Sequence, residues 1–92
     1  MNLYLDQMDK NLHKLDAAVA LGNHVEVELI AHNCAGTSAN CGMAAVAIPF
    51  RELEDAGRAG SLENAPATLT QAHQLFAQTR AFLDQHLSQP SR

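Results

Sequence analysis

Apolar residues recur along this chain at alternating steps of three and four, in four blocks separated by glycines, asparagines and short polar turns. In the first block Leu5, Met8, Leu12, Leu15 and Val19 form one apolar stripe, which predicts a helix from about Leu3 to Leu21. Asn2 is placed to cap its start, and Gly22 stands where a helix C-terminus favours glycine. Asn23 and Glu26 then make a capping-box-like start for a second helix, His24 to Asn40, ended by Gly42. Its inner stripe is Val27, Ile30, Cys34 and Cys41, with Ala31 and Ser38 beside them. A third helix is predicted from Met43 to Ala56, with Val46, Phe50 and Leu53 as core positions. Pro49 removes one of its backbone bonds and should kink or split it, and Gly57 and Gly60 bracket an exit loop. The last helix starts near Ser61 or Asn64, accepts Pro66 in its first turn, and runs to about Leu87. Leu69, Ala72, Phe76, Thr79 and Leu83 give its core rhythm.

Loops of a few residues make successive helices antiparallel neighbours, so the pattern predicts an all-α, up-down-up-down four-helix bundle over residues 1–88. Residues 89–92, which include Pro90, are expected to be a disordered tail. Composition agrees with helix. Much of the apolar fraction is Ala and Leu, aromatics are 4% and Trp is absent. A 92-residue chain is one domain with one modest core.

Charge narrows the function classes. The net charge is −4 and the six basic residues form no stripe, which disfavours nucleic acid as a partner. No segment is long and apolar enough to span a bilayer, and the N-terminus lacks the basic and apolar regions of a signal peptide. A cytoplasmic setting is expected, either as a free protein or as a module of a larger one. Cys34 and Cys41 are seven apart on one helix, about 10 Å by the helical rise, too far for a disulfide. They read as small buried hydrophobes. His13, His24, His73 and His86 share no metal-ligand spacing, and no metal or cofactor site of the chain's own is expected.

His32 is different. It lies two residues from both Ile30 and Cys34, about 200° of rotation from each, so it points away from the core. Ala35, Gly36 and Ala39 follow it at helical spacing and leave that face almost bare. A glycine inside a helix costs roughly 1 kcal/mol against alanine, so Gly36 implies that something approaches closely.

The run Ala31-His32-Asn33-Cys34-Ala35-Gly36-Thr37-Ser38-Ala39-Asn40-Cys41-Gly42, followed by Leu53-Glu54-Asp55-Ala56-Gly57-Arg58, resembles the two motif blocks of histidine-containing phosphotransfer (HPt) domains. Those blocks read roughly A-H-x-L-K-G-S-S-A-N-L-G and L-E-x-x-G-R. The resemblance implies a module in a two-component phosphorelay. His32 would take a phosphoryl group from a receiver-domain aspartate and pass it to another receiver. Gly36 would leave room for the receiver, with Ala35 and Ala39 on the same docking face. Glu54 would hydrogen-bond a ring nitrogen of His32 and orient it. The implied partners are response-regulator receiver domains and a hybrid histidine kinase, with Mg²⁺ supplied by the receiver, and the module is expected to be a monomer. Two positions depart from the pattern. Ala35 stands where the family usually has Lys, and Cys34 where it has Leu. Arg58, with Arg51, would then supply the missing positive charge for docking.

The chemistry fits without the resemblance. A free imidazole titrates near 6.5, so much of it is neutral and nucleophilic at pH 7. Phosphoryl transfer needs in-line positioning and charge neutralisation more than covalent chemistry by the acceptor. Two other readings compete. One is an HPt-like bundle that docks a receiver or kinase without relaying phosphate. The other is the dimerising module of a histidine kinase, which would need a two-helix hairpin and an ATP-binding domain.

Overall fold

A computed structural model describes residues 3–40 and 43–88, apart from the side chains of residue 3 and residues 83–88. Among the described residues there are four helices and no strands: α1 (Leu3–Leu21), α2 (His24–Asn40), α3 (Ala44–Ala59) and α4 (Ala65–Ser88). The Asn2 cap, Cys41, Gly42, the Leu83 side chain and the tail 89–92 lie outside the described residues.

The turn between α1 and α2 shows how local chemistry sets direction. Gly22 takes φ +70°, a left-handed value open to glycine. Its N–H reaches the Val19 carbonyl at 3.1 Å and the Asn23 N–H reaches Ala18 at 2.9 Å, closing the orphan carbonyls of α1. Asn23 then caps α2, its Oδ1 accepting the Glu26 N–H at 3.3 Å. Cross-helix contacts fix the rest. The Tyr4 and Ser38 hydroxyls meet at 3.2 Å, joining the first turn of α1 to the last turns of α2. Asp9 and Arg80 at 3.8 Å, with Asp16 and His73 at 2.8 Å, run α4 back along α1. Gly57 against Glu28, together with Glu54 against His32, does the same for α3 along α2. The helices therefore alternate in direction.

The predicted stripes supply most of the core, with Thr79 only partly buried. Leu5, Met8, Leu12 and Leu15 of α1 are buried, as are Val27, Ala31 and Cys34 of α2, Val46, Phe50 and Leu53 of α3, and Leu69, Ala72 and Phe76 of α4. Val19 and Ile30 are partly buried against them. The Tyr4 and Phe76 rings pack edge to face across this core, their centroids 6.5 Å apart. Burial pushes the Cys34 thiol from 9.0 up to about 12, against a smaller opposing effect of a hydrogen bond with Asn11.

The third helix departs from expectation in two ways. It is not split at Pro49, which is buried inside it. The bond that the proline removes belongs to the carbonyl of Ala45, an exposed residue where water can replace the donor. The helix also runs on to Ala59, so Gly57 and Arg58 are helical and do not bracket a loop. The stop is Gly60, at φ 71° and ψ 23°, with Gly60 N–H to Gly57 at 3.1 Å and Ser61 N–H to Ala56 at 3.0 Å. Gly57 has another task. A Cβ there would fall 2.6 Å from the Glu28 backbone nitrogen and 2.7 Å from the His24 carbonyl oxygen. The two helix backbones touch where it lies.

Two outcomes follow. Gly57→Ala should lose about 1–3 kcal/mol in urea unfolding, because backbone atoms cannot move aside as a flexible side chain does. The neutral Cys34 thiol contributes stability that is fully present below pH 9, where the unfolded thiol is also protonated, and is lost between pH 9.0 and about 12. Urea midpoints should fall less steeply over that range in Cys34→Ala than in the parent.

Candidate functional site

The same stripe that buries one side of α2 turns His32 outward, leaving its side chain 69% exposed. Opposite it on α3 stands Glu54, three residues before the contact glycine, with its side chain only 12% exposed. His32 Nδ1 and Glu54 Oε2 lie 2.9 Å apart. The proton on that bond can be assigned. Glu54 Oε2 also accepts from Arg58 Nη2 at 3.0 Å, and a guanidinium can only donate. An ionised carboxylate accepts from both partners, so Nδ1 carries the hydrogen and donates it. In the neutral ring Nε2 is then the bare nitrogen, with its lone pair directed away from Glu54.

Arg58 is the hub of the surrounding charges. Besides Glu54, its Nε donates to Glu28 Oε2 of α2 at 3.2 Å and its Nη1 to Asp55 Oδ1 at 3.5 Å. The Glu28 hydrogen bond first, and then the charges of Glu28, Glu54 and Asp55, raise its already high pKa. The guanidinium, expected from sequence to supply a docking charge, is thus paired with carboxylates of its own chain. Arg51, one turn before Glu54, is exposed.

The bare face is real but narrower than the spacing implied. Gly36 borders open space, with nothing within 4 Å of a Cβ built on it, and Ala39 is exposed. Ala35 is not part of that surface: it is 1% exposed and belongs to the core cluster. The reason is angular. Three residues advance a helix by about 300°, which swings Ala35 about 60° from His32 towards the buried side. Cys34, the other departure from the motif, is fully buried with its thiol neutral.

Three residues were missed from sequence. Val25 and Leu29 are each 56% exposed and stand seven and three residues before His32, continuing its face as an apolar border. Their helical spacing from His32 was the available signal. Glu28, four residues before His32, carried the same signal but gained meaning only through Arg58, thirty residues away. Among the described residues no group of three or more His, Cys, Asp or Glu side chains converges to hold a metal ion, and no helix is long and apolar enough to cross a membrane.

With this geometry in place, the likeness to known proteins can be read. The chain matches the family model described as Hpt domain over residues 1–85. It is similar to the crystal structure of histidine-containing phosphotransfer protein B (HptB) from Pseudomonas aeruginosa PAO1, at 31% sequence identity and a TM-score of 0.88. That alignment covers 90% of this chain and 72% of the other. No curated protein matches the chain significantly.

Proposed function

Since the chain belongs to the Hpt domain family, whose members act in histidine phosphotransfer within phosphorelays, we propose that His32 is its phosphoryl acceptor. The observation that carries this reading is an exposed imidazole held at Nδ1 by a carboxylate at 2.9 Å, leaving Nε2 as the open nucleophile. The donor is the aspartyl phosphate of a receiver domain, and a second receiver takes the group onward.

The step balances on these residues. The Nε2 lone pair attacks phosphorus in line, the bond from phosphorus to the aspartyl oxygen breaks, and the carboxylate leaves with the electron pair. The ring keeps its Nδ1 hydrogen and gains a positive charge as the N–P bond forms. Glu54 lies where that charge develops, and its acceptance of the Nδ1–H also keeps the reactive tautomer in place. Mg²⁺, supplied by the receiver, would neutralise the phosphoryl oxygens there. Gly36 leaves the approach clear, while Val25 and Leu29 offer apolar area beside it.

Incubation with a phosphorylated receiver and Mg²⁺ should place acid-labile, base-stable phosphate on the wild type and none on His32→Gln. Transfer from no receiver would favour a bundle that docks without relaying. Gly36→Gln separates approach from folding. Its side chain enters open space and improves helix propensity by up to about 1 kcal/mol, so stability should hold or rise, while transfer slows by about tenfold or more. An unchanged transfer rate in that variant would contradict the close approach.

A further inference from the structure

We propose that Arg58 is a positioning residue for the transfer, holding Glu54 on His32 Nδ1 while offsetting its charge, so that the ring is oriented without being driven into its protonated form. The inference rests on His32 being the acceptor.

Glu54 faces two demands that conflict. Its hydrogen bond fixes the tautomer, yet a carboxylate at 2.9 Å also favours the imidazolium, which has no lone pair to attack with. The geometry resolves the conflict at one atom. Oε2 receives the ring N–H on one side and Arg58 Nη2, at 3.0 Å, on the other. The guanidinium offsets part of the carboxylate's charge, so the ring meets an acceptor less negative than a lone glutamate. The guanidinium is braced in turn from two directions, by Glu28 across the α2–α3 seam at 3.2 Å and by Asp55 on its own helix at 3.5 Å.

Glu28 on α2 and Asp55 on α3 join the His32–Glu54 pair through Arg58, and Arg51 lies one turn before Glu54 on α3. Without Arg58, Glu54 would face the ring with no guanidinium on Oε2, and Glu28 and Asp55 would lose the cation that pairs them. That field favours proton uptake by the free ring. It also leaves Glu54 without the partner that keeps Oε2 aimed at Nδ1. The covalent step is unchanged: the N–P bond forms at Nε2, the aspartyl P–O bond breaks, and the Nδ1 hydrogen stays. Arg58 acts before it, on how much of the acceptor is ready. Its three donor sites engaged by the chain's own carboxylates distinguish this task from offering a cation to a docking partner.

The test compares full-length wild type, Arg58→Gln and Arg58→Lys. Long-range ¹H–¹⁵N spectra of the His32 ring, recorded without any receiver, read which nitrogens carry hydrogen. Arg58→Gln should show a larger doubly protonated population at pH 6.5 and a weaker preference for the Nδ1–H tautomer, and Arg58→Lys should restore much of both. With a phosphorylated receiver and Mg²⁺, the acid limb of the pH–rate profile should move to higher pH in Arg58→Gln. Transfer at pH 6.5 should fall about threefold or more and largely recover at pH 8.5. A docking cation would instead lower the rate by the same factor at every pH and leave the ring spectrum unchanged. That result, or spectra and profiles identical to wild type, overturns the proposal. If the wild type accepts no phosphate at all, the reading of function fails while the ring spectra still decide the role of Arg58.

Discussion

The backbone contact at Gly57 governs the geometry of the site. Helices normally hold each other apart by their side chains, about 8–10 Å between axes. Here α3 meets the Glu28 nitrogen and His24 oxygen of α2 with no side chain between. That contact fixes register as well as distance. Glu54 lies three residues before it on one helix and His32 four residues after Glu28 on the other, so one turn along the seam brings carboxylate to imidazole at hydrogen-bonding range. A slide of one residue would move them apart by about 1.5 Å and break a bond that tolerates only tenths. The His32–Glu54 pair is built on two packed helices, and its precision is inherited from their packing.

The two helical glycines of the site are opposites. Gly57 is required from within, because the fold has no room for a methyl group there. Gly36 is not required by the fold, since a side chain would enter open space. A residue that lowers helix stability and solves no internal problem has its explanation outside the molecule, which is why the surface beside His32 reads as prepared for another protein.

Much of this was legible in the sequence. The steps of three and four placed α1 and α2 at their observed bounds, and the angle between His32 and the Ile30–Cys34 stripe turned the histidine outward. Errors fell where one residue type has two physical uses. Gly57 was read as helix punctuation, but a glycine that stops a helix and a glycine that admits a neighbour look the same until the neighbour is known. Pro49 was read as kinking or splitting the helix, but its lost bond falls on the exposed residue Ala45 and the helix is not split. Ala35 was placed on the open face because spacing gives an angle within one helix and not the side from which α3 approaches. The Arg58–Glu28 contact spans two helices and thirty residues, so no pattern local to either helix contains it.

The Tyr4–Ser38 hydrogen bond carries a further meaning. It sets two hydroxyls against each other in a mostly apolar seam between α1 and α2, which also carries the Asn11–Cys34 hydrogen bond. Such a pair adds little net stability when made, but stranding either hydroxyl in the core costs about 1–3 kcal/mol. Apolar side chains would tolerate a neighbouring register with modest repacking; these two oxygens do not. The bond favours one longitudinal alignment of α1 on α2. Through it the first turn of the chain helps decide how high on the bundle His32 is presented.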